Sequence, residues 1–87
     1  MSWNYRVLKT ADRDGTPLWA VHEVYYDVAG EPTYWTERAA WPSGQSAQAL
    51  HRDFEQYTRA FTRRPLDVTS GTAVALTITG LPKRTKR

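Results

Sequence analysis

Apolar and polar positions alternate with a period of two along roughly the first forty residues, then switch to a helical period. Residues 3–10, Trp3 to Thr10, interleave aromatic and β-branched side chains with polar ones and predict a strand. Asp14-Gly15 and Pro17 follow as a hairpin loop, with glycine supplying a positive φ. Residues 18–27, Leu18 to Asp27, carry the strongest strand pattern in the chain. A turn through Gly30 leads to Pro32, which opens a third strand over residues 33–39. Short connections between the three make them an antiparallel meander.

Pro42-Ser43-Gly44 ends this pattern, and Ser46 is placed to cap a helix. From Ala47 to about Arg63, Leu50, Phe54, Tyr57 and Phe61 recur at spacings of 4, 3 and 4, a single helical stripe. Asp53 and Glu55 lie nearer the start, and Arg59, Arg63 and Arg64 toward the end, as the helix dipole favours. Pro65 stops the helix. Beyond a turn-like stretch at 67–72, residues 73–79 alternate Val74, Leu76 and Ile78 with Ala and Thr. They make either a fourth strand or an unpaired tail. The expected fold class is α+β, a three-stranded antiparallel meander followed by one amphipathic helix (β-β-β-α), with an optional short C-terminal strand. Residues 1–67 form the domain, and 68–87 an extension holding the 73–79 segment and the end of the chain.

Faces follow from the alternation. On the second strand, Leu18, Ala20, His22, Val24 and Tyr26 lie opposite Trp19, Val21, Glu23, Tyr25 and Asp27. The second set holds two carboxylates, costly to bury unpaired, so the first set is expected under the helix. Trp3, Tyr5 and Val7 on the first strand, and Trp35 and Ala39 on the third, are expected to join it. Trp19, Tyr25 and Tyr34 would then stand on an open face among Arg6, Glu23, Thr36 and Arg38. One helix cannot cover both faces of a sheet, so an aromatic open face reads as a contact surface, unless the 73–79 segment or a second copy covers it as plain structure.

Composition narrows the field. The chain has 87 residues, no cysteine, and 13% aromatic side chains, enough for a core in a small domain. A transmembrane helix is excluded because no long apolar run exists, and residues 1–9 show no secretory leader. The absence of cysteine rules out disulfides and thiolate metal sites and fits the cytoplasm. The formal charge is +3, yet residues 1–67 carry eight cations and nine anions, a net of −1. The excess sits in Lys83, Arg84, Lys86 and Arg87.

No catalytic constellation emerges. His22 and Glu23 are adjacent on a strand and point to opposite faces, so they cannot serve one substrate, and His22 reads as a core histidine. Glu23 and Asp27, four residues apart on one face, stand roughly 13 Å apart, too far for a glycosidase pair. His51 near Asp53 and Glu55 lacks any metal-ligand spacing. Ser43 and Ser46 are explained by capping and have no nucleophile-elbow context, and an anion at that helix start would lack the usual lysine. No cofactor or metal is expected, and the chain does not read as an enzyme.

The segments Trp3-Asn4-Tyr5-Arg6-Val7, then Val21-His22-Glu23-Val24-Tyr25-Tyr26-Asp27 with Gly30 and Pro32, then Trp35-Thr36-Glu37, resemble a group of small uncharacterised bacterial proteins. The likeness spans about residues 3–67 and includes a helix entered through Pro42, Gly44 and Ser46 and stopped at Pro65, Leu66 and Asp67. This chain departs in having Ala47, Gln48 and Ala49 in the first helical turn, where acidic residues are usual. The resemblance implies a fold and no activity.

These readings converge on a non-enzymatic interaction or regulatory module. It would bind a protein partner, or itself as a dimer, through Arg6, Trp19, Tyr25, Tyr34 and Arg38. Its size also suits a phage or mobile-element protein that engages a host system. The alternative is a nucleic-acid-associated module in which Lys83, Arg84, Lys86 and Arg87 contact phosphates.

Overall fold

A computed structural model describes residues 2–76. Its elements are β1 (Ser2–Ala11), β2 (Pro17–Tyr26), β3 (Pro32–Trp35), α1 (Ala47–Thr58) with a following 3-10 turn (Arg59–Thr62), β4 (Leu66–Asp67) and β5 (Val74–Ala75). The strands form one sheet in the order β3-β2-β1-β4-β5.

The expected meander is its larger part. β1 and β2 pair antiparallel without interruption from Ser2↔Tyr26 to Ala11↔Pro17. Both connections use the same chemistry. In the first, the Asp12 carboxylate accepts from the main-chain N–H groups of Asp14 (2.8 Å) and Thr16 (2.9 Å), and Gly15 takes φ 82°. In the second, the Asp27 carboxylate accepts from Ala29 and Glu31 (both 2.9 Å), and Gly30 takes φ 84°. The chain thus repeats D-x-x-G-x-P at Asp12–Pro17 and Asp27–Pro32, each time closing a loop with a side chain that mimics a backbone acceptor. The anchoring acid of the first loop is Asp12, not the Asp14 that precedes its glycine.

Two strands follow the helix. β4 was not expected: Asp67 was placed at the start of a turn-like stretch, but Leu66 and Asp67 lie parallel to Leu8 and Lys9 of β1. β5 pairs antiparallel with β4, so the described part of the 73–79 segment joins the sheet at its far edge; 77–79 lie outside the described residues. Val68 is buried in the core and Ala73 packs beside it, which ties residues 68–76 to the rest of the fold. The third strand is shorter than its expected 33–39. Thr36 and Ala40 nevertheless keep main-chain bonds to Glu23 (3.1 Å) and Val21 (2.8 Å). The expected single helix over 47–63 also divides: α1 ends at Thr58, and the tighter 3-10 turn presses Ala60 fully into the core.

The face assignment of β2 is reversed. The register sets Tyr5 opposite Glu23 and Val7 opposite Val21, so Trp3, Tyr5 and Val7 share a face with Trp19, Val21, Glu23 and Tyr25. The helix lies over that face. Tyr57 meets Tyr5 edge-on at 5.2 Å between ring centroids, and Ala60 is buried with Tyr5 and Val21. The carboxylates do not oppose this, because Glu23 accepts a hydrogen bond from the Tyr25 hydroxyl and Asp27 lies beyond the strand in its turn.

Val24, Tyr26 and Leu8 pack on the other face with Leu66 and Val68. Trp35, from the first edge of the sheet, and Ala73, beside the last, both pack against this cluster. The sheet therefore curls around it, and each face is covered by something different. Even so, only eight hydrophobic residues are buried among those described, a thin core in which single contacts carry weight.

Candidate interaction surface

α1 is seated on β1 by a polar tie. The Tyr5 hydroxyl donates to the Asp53 carboxylate at 2.9 Å to either oxygen, and the same carboxylate accepts from the Ser43 N–H at 2.8 Å. Burial, the hydrogen bond to Asp53 and the charge of that carboxylate push the Tyr5 hydroxyl well above the ordinary phenol range. It therefore remains a proton donor. Ser46 caps the helix by accepting from the Ala49 N–H at 3.0 Å. Gly44 lies so close to the first turn that a Cβ there would fall 2.5 Å from the Leu50 nitrogen.

These contacts fix the rotation of the helix. Asp53, Tyr57 and Ala60 point toward the sheet, while Leu50 and Phe54 are turned about 60° and 100° away from Asp53, at about 100° per residue, and Phe61 in the following 3-10 turn is turned further still. None of the residues of α1 is fully buried, and Phe61 beyond it is 63% exposed. The helix thus divides the aromatic face into two flanks.

On one flank, Tyr34, Tyr25 and Trp3 form a ladder across three strands, with centroid separations of 5.6 and 6.2 Å. The ladder continues through Tyr5 and Tyr57 to Phe61 beneath and along the helix, at 5.3, 5.2 and 6.3 Å. The hydrogen bond to Glu23 raises the pKa of the Tyr25 hydroxyl. On the other flank, Trp19, Val7, Ala39, Tyr57 and Phe61 line an open groove, with Lys9 Nζ 5.8 Å from the centre of the Trp19 ring.

The five residues expected to form one contact set are therefore dispersed. Tyr25 and Tyr34 lie on one flank and Trp19 on the other. Arg6 is on the opposite face of the sheet, where its Nε donates to the Arg64 carbonyl (2.8 Å) and its Nη1 to the Tyr26 hydroxyl (3.1 Å). It ties the helix exit to the sheet rather than facing the aromatic surface. Arg38 is exposed in the segment after β3. The expected phosphate contacts Lys83, Arg84, Lys86 and Arg87 lie outside the described residues.

Sequence reasoning placed Trp3 in the core and left out Trp41, Leu50, Phe54 and Phe61 as contact residues. All five are large and at least 43% exposed. The available signal was angular: a small residue, Ala60, on the same helical strip as Asp53 marks the line of closest approach, and Phe54 and Phe61 lie off that line.

His22 is 3% exposed, and its Nδ1 lies 2.8 Å from the Thr36 carbonyl, which can only accept, so Nδ1 carries the proton. His51 meets Glu55 at 3.8 Å on the exposed side of α1. Among the described residues no cluster of three or more His, Cys, Asp or Glu is arranged to hold a metal, and no helix is long and apolar enough to cross a membrane. Trp3–Arg6 pair with His22–Tyr25 across β1 and β2, and the Tyr26 hydroxyl donates to Asn4 Oδ1 at 2.8 Å. No family model, curated protein or solved structure matches the chain.

Proposed function

We propose that this chain is a non-catalytic interaction module of the cytoplasm that binds a protein partner or a second copy of itself through the aromatic surface on either side of α1. The observation that supports this is the exposure of the helix stripe. Leu50, Phe54 and Phe61 recur as in a buried amphipathic helix, yet each is 43–63% exposed, and Trp19 and Trp3 on the two flanks of the helix are half-exposed as well. Scattered apolar residues are ordinary on a surface, but a continuous group built from aromatic rings is not. Aromatic side chains are also the usual anchors of protein interfaces, because they bury much area for few rotatable bonds. The burial of His22 against Thr36 fits a structural role for the residue a catalytic search would choose first.

A photo-crosslinking amino acid placed at Trp41 or Tyr34 tests the proposal in intact cells. Discrete adducts are expected from at least one of these positions, and none from Val28, an isolated apolar residue in the second turn that is 99% exposed. Adducts equally abundant from all three positions, or from none, would overturn it.

A further inference from the structure

Resting on that reading, we propose that a second copy of this chain covers the flank formed by Trp19, Trp41, Leu50, Phe54 and Phe61. Trp41 belongs to this flank because of how its segment runs. Ala40 packs with Tyr5, Val21 and Ala60, Ser43 bonds Asp53, and Gly44 abuts Leu50. Residues 40–44 therefore run antiparallel to the helix, and Trp41 stands beside its middle turns.

Area argues for a partner of similar size. Trp41 is 71% exposed, Phe61 63%, Trp19 52%, Phe54 48% and Leu50 43%. With about 150–250 Å² per large side chain, these five leave on the order of 500–600 Å² uncovered. That reaches the top of the range for the largest apolar patch on a monomer, about 300–600 Å². It also meets the apolar share, about 57–65% or on the order of 460–520 Å², of the roughly 800 Å² that each partner contributes to a standard interface.

An uncharged centre suits an identical partner. In a two-fold contact the centre of the patch meets itself, so an ionised group there would face its own like charge. None of the five residues is ionisable. The nearest acid on the outer side of α1, Glu55, already faces His51, and Lys9 lies over the Trp19 ring at the margin. Residues 1–67, which carry the patch, have a formal charge of −1, against +3 for the full chain. An antiparallel arrangement of the two helices sets Leu50 of one copy against Phe61 of the second, about 18 Å apart along each helix and its 3-10 turn, with Phe54 and Trp41 near the axis.

Sedimentation equilibrium of the full chain from about 1 to 500 µM tests this by mass action. The 10.0 kDa chain is expected to run as a dimer at the upper end. Trp41→Glu and Phe54→Glu each place a charge near the axis and are expected to raise the dimer dissociation constant by about 30-fold or more. Tyr34→Glu, on the other flank, is expected to leave it within about 3-fold. Circular dichroism verifies that each variant is folded. A monomer at every concentration overturns the inference, as does a dimer broken by Tyr34→Glu but indifferent to both other variants. A monomeric chain that still yields a discrete adduct to a different protein from position 41 overturns the second copy and leaves the proposed function standing. A monomer with no adduct from position 41 or 34 overturns both.

Discussion

Removing the Tyr5 hydroxyl tests how the helix is held on the sheet. Tyr5→Phe keeps the ring against Tyr57 and Trp3 and deletes the bond to Asp53. A hydrogen bond to a charged partner is worth about 1.5–3 kcal/mol. Asp53 is partly exposed and keeps the Ser43 N–H, so a value around the bottom of that range applies, about 1–2 kcal/mol. In a domain of this size such a loss lowers Tm by roughly 4–16 °C.

The pH dependence gives a second handle. The folded pKa of Tyr5 is raised by burial and by Asp53, so the unfolded chain loses this proton first as pH rises. The stabilisation is fully present below the unfolded value of about 10 and is lost progressively as pH climbs toward the folded value. Urea unfolding of both proteins from neutral pH to about pH 11 is therefore expected to show their stabilities converging above about pH 10. A Tyr5→Phe protein as stable as the parent at pH 7, or a gap that widens above pH 10, would refute this account of the tie.

Gly44→Ala is expected to destabilise by about 1–3 kcal/mol in thermal melts, because the new Cβ meets the helix backbone near Leu50 and one of the two must shift. Ser46→Ala removes the cap of α1 and is expected to lower stability by about 1 kcal/mol, read from urea unfolding. Val68→Ala is expected to lower it by about 2 kcal/mol in the same assay, from two lost methyl equivalents and the space they leave, if residues beyond Asp67 belong to the core as their burial indicates.

The meander and the capped helix were legible because each rests on local signals: alternation over ten residues, a turn glycine, a serine before an apolar stripe. The β2 face was misjudged because avoidance of carboxylates is a tertiary argument, and Glu23 had a local partner in Tyr25 that alternation does not reveal. β4 was invisible for a different reason. Two residues carry no periodicity, and Leu66–Asp67 form a strand through pairing with Leu8 and Lys9, nearly sixty positions earlier. The contact surface was half legible. Trp19, Tyr25 and Tyr34 could be assigned to one face by counting, but the rotation of the helix depends on Tyr5, Asp53 and Gly44, and that rotation decides which aromatic residues remain outside. Arg6 was drawn into the set by its charge, although its guanidinium is held by Arg64 and Tyr26 on the other side of the sheet.

Hydroxyl-radical footprinting of the four tryptophans across a dilution series tests the central claim most directly, since it reads the helix orientation and the contact in one measurement. At low concentration Trp41 is expected to be the most reactive and Trp19 and Trp3 intermediate, with Trp35, packed on the inner cluster, the least. As concentration rises, Trp41 and Trp19 are expected to become protected while Trp3 and Trp35 do not change. A Trp41 that is already unreactive when dilute, or protection confined to Trp3, would contradict it.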